Sequence, residues 1–312
     1  MKIGQQSLDQ EFMISQYAST FAGAALGWPV LPSLDLPAGG PAYPLSSLGV
    51  RLRSRLSDST TLLVGAFAGD PANTTNQDPQ NANNRGTTFS LHGGTLYIAE
   101  LHYGVNQPKP GETDTAAASG LPGTYKFGAW YHNKKFFDVR FDQGGLSLAS
   151  PLGSGNALEH SGNYSVYGVA DQTVWRNSAG GPQAVSLFAR AMAAPGDRNQ
   201  ASFSANLGVT MTAPFASRDN DVVGLGLGYV KIGSNTRDRL PLNNRPYIVE
   251  HQFVDRYGQW QIGLSGYRHS NQAAHAGADP IQGCERDFLL QMRQQDQHVS
   301  SVLRNLIRHG VL

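Results

Sequence analysis

Ser202-Phe203-Ser204-Ala205-Asn206-Leu207-Gly208-Val209-Thr210-Met211-Thr212 is the stretch on which the reading of this chain turns. Phe203, Ala205, Leu207, Val209 and Met211 take alternate positions, with serine, asparagine, glycine and threonine between them. Side chains of a β-strand project to opposite faces with period 2, so the segment reads as a strand with one apolar and one polar side.

The same alternation recurs outward from this point. Tyr125, Phe127, Ala129 and Tyr131 alternate with Thr124, Lys126, Gly128, Trp130 and His132. Phe137, Val139 and Phe141 oppose Asp138, Arg140 and Asp142, and Val223, Leu225, Leu227 and Tyr229 alternate with Gly224, Gly226 and Gly228. Further strands are expected at Val50–Leu56, Thr60–Ala68, Leu96–Val105, Tyr164–Trp175, Val185–Met192 and Tyr247–Tyr257. Turn signals punctuate them: Gly69-Asp70-Pro71, Gly144-Gly145, Asn177 through Pro182, and Pro195-Gly196-Asp197. Some connections are short and others long and polar, notably Asp70 to Gly86 and Val105 to Gly120, as an outer-membrane barrel needs at its two ends.

Composition agrees with many strands and turns. Of 312 residues, 36 are glycine and only 15% are charged, a balance poorly suited to a helical enzyme. A net charge of +1 gives no argument for nucleic acid or an acidic partner. The single cysteine, Cys284, excludes an intrachain disulfide framework and a multi-cysteine metal site. No run of 18 apolar residues exists, so a transmembrane helix is excluded and a closed barrel remains the way to span a bilayer.

The two ends differ from the middle. Met1 to Gln6 offers no apolar signal region. An amphipathic stretch, Phe12 to Phe21, leads into a Gly/Pro-rich run from Gly27-Trp28-Pro29 to Pro44, where regular helix and central strand are both forbidden. From Asp287 to His309, Phe288, Met292, Val299, Val302, Leu303, Leu306 and Ile307 fall at helical spacing, which predicts an amphipathic terminal helix.

Several segments, in order, resemble the OprB-like carbohydrate-selective porins of Gram-negative bacteria. They begin with Lys2 to Gln6, Glu11 to Gln16, Gly27-Trp28-Pro29 and Leu36 to Leu45, and continue with Gly49 to Arg53 and Gly65 to Pro71. Gly123 to His132, Gly162-Asn163-Tyr164, Asp171-Gln172, Trp175-Arg176, Phe188-Ala189-Arg190, Asp197-Arg198-Asn199 and Arg218 to Asp221 complete the series. The resemblance runs from about residue 2 to about residue 232. It implies an all-β, antiparallel transmembrane β-barrel of porin type in the cell outer membrane. The family's signal peptide and first strands are not found before Met1, and a closing strand is not found after Ile232, so the barrel is expected to be incomplete, with a short helical carboxy-terminal tail. The expected division is a partial barrel over residues 1–270, with an inserted loop or plug at about 27–49, and a divergent tail, native or frameshifted, over 271–312. The implied function is passive diffusion of mono- or oligosaccharides, without bond chemistry or cofactor; partners are the sugar and outer-membrane lipid, with self-association into a homo-oligomer left open.

If the apolar faces meet lipid, the polar faces line the lumen, and this selects the candidate pore-lining and sugar-binding residues. Arg51, Arg53 and Arg55 share one face of a strand, and each presents a permanently charged donor fork suited to hydroxyls and carboxylates. Glu100 shares a face with His102, and Asp138 with Arg140, while Asp171 and Arg190 interrupt apolar strands. Trp130 and Trp175 have the parity of polar neighbours and are candidates for stacking on sugar rings or packing against the plug. Tyr103, Tyr125, Tyr131, Phe137, Phe141 and Tyr229 suit an interfacial girdle. On a soluble sheet the same charges would be ordinary surface groups, and the aromatics would pack a sandwich.

Alternative chemistries find little support. No two carboxylates are fixed at a glycosidase separation, and P-loop, nucleophile-elbow, HExxH and Rossmann signatures are missing. Gly224-Leu225-Gly226-Leu227-Gly228 alternates with apolar residues and has no helix after it, so it reads as a strand with a closely approached face. His251, His269, His275, His298 and His309 have no ligand spacing, and no metal is expected. A soluble β-rich carbohydrate-binding module, or a nonfunctional porin fragment, stands as the competing reading.

Overall fold

A computed structural model describes residues 1–21, 26–72, 79, 90–107, 120–177, 181–215, 218–239, 248–255 and 260–267, and for 248–255 and 260–267 the backbone alone. The predicted helix at Asp287 to His309, and the tail of 271–312, lie outside these residues. The described chain belongs to one unit, Met1–His269.

Alternating sequence becomes a single antiparallel sheet of eleven strands, each paired with its neighbour in sequence. The strands are β1 (Lys2–Gln6), β2 (Ser47–Arg55), β3 (Thr60–Ala68), β4 (Thr95–Val105), β5 (Gly123–Asp142) and β6 (Ala157–Arg176). They continue with β7 (Ala184–Ala193), β8 (Ala201–Thr212), β9 (Val222–Ile232), β10 (Ile248–Asp255) and β11 (Trp260–Tyr267). The fold is all-β, and none of the described helices is long and apolar enough to cross a membrane. Among the described strands β1 and β11 do not pair with each other, so the sheet they form is not closed.

The two faces separate as period 2 requires. On β8, Phe203, Leu207 and Val209 turn to one side, and the buried Ser204, Asn206 and Thr210 to the other. On β4, Tyr97, Leu101 and Tyr103 are exposed while Leu96, Ile98 and Glu100 are buried. Large apolar side chains therefore lie exposed on the outer face: Phe127 at 65%, Leu225 at 57% and Leu207 at 52%. In water such a surface would be costly, and against hydrocarbon it is the favourable one.

The register lines up aromatics on that face. Tyr97, Tyr131 and Tyr164 are direct cross-strand partners on β4, β5 and β6, and Tyr103 partners Tyr125 six residues along. At about 3.4 Å per residue the two rows are roughly 20 Å apart along the strand.

The inner face is covered by residues 7–46, which join β1 to β2. This segment holds 3-10 turns at Leu8–Gln10, Ala18–Thr20 and Pro37–Gly39, and, against the expectation that its prolines forbid helix, one short helix, α1 (Val30–Asp35), in which Pro32 falls in the first turn where no N–H donor is needed. Its Leu8, Phe12, Met13, Leu31 and Leu36 form one core with inward residues of the wall, among them Phe67, Ile98, Trp130 and Tyr167. Phe12 meets Phe67 edge-on, with ring centroids 6.2 Å apart. A second cluster packs Ala18, Phe21 and Leu26 on Phe188. Here the glycines of β9 matter: a Cβ on Gly226 would lie 2.8 Å from Leu26 Cδ1 and 3.2 Å from Phe21 Cε1. The bare backbone at that position lets the segment approach the wall.

Candidate functional site

Polar residues on the inner faces of β4 to β8 converge on residues 13–17 and 26–27 of the inserted segment. Period 2 aims Glu100, Lys126, Tyr167, Asp171 and Arg190 inward, and the segment's backbone lies across them. Glu100 accepts from the Met13 N–H at 2.7 Å and from the Tyr167 hydroxyl at 2.8 Å, and pairs with His102. Lys126 Nζ donates to the Ile14 carbonyl at 2.8 Å. Asp171 accepts from the Ser15 hydroxyl at 2.5 Å and the Gln16 N–H at 2.9 Å.

Arg190 is the most heavily bonded of the group. Its guanidinium donates to the carbonyls of Met13 (3.1 Å), Leu26 (3.1 Å) and Gly27 (2.8 Å), and to Asn206 Oδ1 on β8 (2.9 Å). A buried charge is tolerable only where its hydrogen-bonding capacity is met, and an irregular segment supplies carbonyls that no strand ladder uses.

Arg51 extends the pattern to β2, where it forms an ion pair with Glu11 of the segment. Burial alone would raise the Glu11 carboxyl, but hydrogen bonds and charge from Arg51 and Lys2 outweigh it and hold the group below its ordinary value. Asp35, at the end of α1, is placed differently. It is 5% exposed, meets the backbone N–H groups of Gln200 and Ala201, and its Oδ2 has no hydrogen-bond partner among the described residues. Burial drives its carboxyl well above the ordinary value, and the two backbone donors only partly offset this.

The candidates read from the sequence fall into distinct environments. Arg51, Glu100, Asp171 and Arg190 are inward and buried beneath the segment. Arg53 and Arg55 share Arg51's face but are exposed, and Arg55 pairs with Asp58 in the β2–β3 turn at 2.9 Å. Trp130 is inward and 1% exposed, covered by core packing.

Trp175, Asp138 and Arg140 lie apart from this buried group. A bulge between Thr173 and Trp175 makes Trp175 the partner of Val185, on the same side as the exposed Leu187, so this indole lies on the outer face. Asp138 and Arg140 lie where the β5–β6 register is irregular, between Phe137 and Asp142. There Asp138 accepts from His160 Nε2 at 2.8 Å, and Arg140 pairs at 3.1 Å with Asp238 of α2 (Ser234–Arg239). Asp138 thus ties β5 to β6, Arg140 ties β5 to the β9–β10 connection, and neither joins the polar band.

Sequence reasoning overlooked several members of that band. Lys126 and Tyr167 have inward parity, which was the available signal. Ser15, Gln16 and Tyr17 carry no periodic signal, because irregular backbone places them. Tyr17 Oη lies 2.8 Å from Thr173 Oγ1, which lies 3.2 Å from Ser186 Oγ. Beyond this chain of hydroxyls is an open cleft of about 650 Å³, lined by polar groups from the segment, the wall and the strand-end connections.

Among the described residues no group of histidine, cysteine or carboxylate side chains is arranged to hold a metal ion. The arrangement offers a polar inner surface, a segment clamped across it, and an apolar outer surface.

Comparison with known proteins agrees with this geometry. The model of the carbohydrate-selective porin family, OprB, matches residues 1–251. Porin B of Pseudomonas aeruginosa is 28% identical over 205 residues, which are 65% of this chain and 41% of that protein. The high pH structure of Pseudomonas putida OprB has the same fold, with a TM-score of 0.63 and 21% identity over 80% of this chain and 59% of that one. The chain thus spans less than two thirds of the length of either relative.

Proposed function

Because the chain belongs to the OprB family of carbohydrate-selective porins, we propose that it forms wall and constriction of an outer-membrane channel for passive diffusion of mono- and oligosaccharides and small ions. The observation that supports this reading best is the division of the sheet: exposed Phe127, Leu207 and Leu225 outside, and a hydrogen-bonded polar band inside. A lipid-facing surface with a polar interior is the arrangement of a membrane barrel, whereas a soluble binding module would hide Phe127 and Leu225.

Diffusion makes and breaks no bond, so the protein acts as a channel rather than an enzyme. Selectivity comes from the width left by the inserted segment and from polar groups along the remaining path. Arg51, Glu100, Asp171 and Arg190 act by holding the segment in place. Arg53 and Arg55, exposed on the inner face, are the arginines that passing solute meets.

Reconstitution into planar bilayers tests the reading. The expected result is stepwise ion current that falls on addition of a sugar, from a protein that needs detergent for solubility and changes gel mobility on heating. A chain that stays soluble without detergent and shows no heat-dependent mobility would overturn it.

A further inference from the structure

Asp35 ends α1 and is the buried acid of the inserted segment, whose other carboxylates, Asp9 and Glu11, are partly exposed. α1 packs on β8, where the Ala201 N–H donates to Asp35 Oδ1 at 3.4 Å. The Asp35 carbonyl accepts from Asn163 Nδ2 on β6 at 3.3 Å, and the side-chain amides of Asn163 and Asn199 donate to each other at 2.6 and 2.9 Å. Among the described residues Asp35 Oδ2 has no hydrogen-bond partner.

The titratable groups on the elements packed around Asp35 are engaged with other partners. In the β7–β8 connection, Asp197 and Arg198 pair with each other at 2.9 and 3.0 Å. On β6, His160 bonds Asp138 at 2.8 Å, and Tyr164 is exposed on the outer face. β8, the rest of α1 and the turn at Pro37–Gly39 carry no titratable side chain. Burial therefore acts on the Asp35 carboxyl against two backbone N–H groups alone, and raises it well above its ordinary value.

We infer that Asp35 is a proton-operated catch on the inserted segment: as a carboxylic acid it seats α1 against β8, and as a carboxylate it releases α1 into the lumen and narrows the channel. The narrowing rests on the channel reading above, whereas the catch itself needs no conduction. A neutral carboxyl can stay in a dry pocket, but a carboxylate without a counter-ion requires water, and water reaches Oδ2 only if α1 leaves Ala201. On either side of α1 the chain is fixed, by Arg190 on the carbonyls of Leu26 and Gly27 and by the pairing of β2 with β3. Release therefore moves the stretch between these two points and leaves the polar band in place. The wall blocks the outer side, so the direction open to α1 is the lumen.

Hydrogen exchange read by mass spectrometry on the detergent-solubilised chain, with rates corrected for the intrinsic effect of pH, tests the catch, and planar-bilayer current tests the narrowing. In the wild type, exchange of the peptide over residues 30–40 should quicken by up to about tenfold per pH unit between the ordinary carboxylate value, about 4, and the raised one. Current should fall over the same range. Asp35→Asn, a neutral isostere of the acid, should keep both slow exchange and high current throughout. Asp58→Asn, at an exposed carboxylate in the β2–β3 turn, should keep the wild-type profile. Heat-dependent gel mobility confirms that each variant is folded. Exchange over residues 30–40 that ignores pH, or that responds equally in Asp35→Asn, would overturn the catch, and current that stays level while exchange quickens would overturn the narrowing. Exchange that responds to pH only when Asp35 is present, in a chain that carries no current at any pH, would instead remove the channel reading and keep the catch.

Discussion

Arg190 shows how a single inward charge is used. Its donors satisfy three carbonyls of the inserted segment and one asparagine, so shortening it orphans groups on both partners. Arg190→Met is expected to cost about 3–5 kcal/mol, as for breaking a buried charged network by removing one member. Urea unfolding in detergent should show this loss, and limited proteolysis should reach the chain near Met13 and Gly27 sooner than in the wild type. Asp35 and Glu11 give the segment opposite responses to pH. Asp35's raised value means the folded protein holds its proton more tightly than the unfolded chain, so its stabilisation is complete in acid and fades as pH rises from about 4 toward the shifted value. Glu11's lowered value means that its contribution is complete above the ordinary carboxylate range and is lost as pH falls through the shifted value. Asp35→Asn should therefore raise the unfolding midpoint at neutral pH and flatten its decline from acid to neutral pH. A midpoint unchanged in acid and at neutral pH alike would contradict the placement of Asp35.

At the scale of strands, period 2 carried the reading far, and its failures have local causes. Thr124–His132 and Phe137–Asp142 read as two strands but belong to the single strand β5, because a register shift at Lys135 interrupts the alternation without ending the pairing. Trp175 has the parity of polar neighbours in the sequence, and the bulge between Thr173 and Trp175 turns it to the other face. β1 carries almost no apolar signal, with Gly4 and Gln5 at its centre, whereas β11, Trp260–Tyr267, was legible and overlooked, since Trp260, Ile262 and Leu264 alternate with Gln261, Gly263 and Ser265. The inward parity of Glu100, Asp171 and Arg190 was legible. Their use was not, since their partners are 87 to 177 residues distant and irregular in conformation. Two substitutions address the strand faces. Leu207→Arg, on the outer face of β8, should destabilise the protein in lipid vesicles by about 2–4 kcal/mol if the site lies near the bilayer midplane. Gly226→Leu, on the inner face of β9, should leave the strands paired but push Phe21 and Leu26 off the wall. The measurement is enhanced protease cleavage of the segment with unchanged β-sheet circular dichroism.

For the molecule as a whole, the order of the strands along the sheet equals their order along the chain, and this has a kinetic meaning. Apart from β1 with β2, which residues 7–46 separate, each wall pairing joins strands that follow one another closely, so the sheet can grow one hairpin after another with modest entropy lost at each step. Residues 7–46 cannot follow that order. They precede the wall strands that anchor them, β6, β7 and β8, and one bond joins Met13 to Arg190 across 177 residues. During assembly the segment must therefore wait beside an unfinished wall with Phe12, Phe21 and Leu31 uncovered. Pulse-labelled hydrogen exchange during refolding should find the amides of β4 and β5 protected before that of Met13, whose partner is Glu100. A chaperone that shields apolar segments would act in this interval, on the segment between β1 and β2 rather than on the strands.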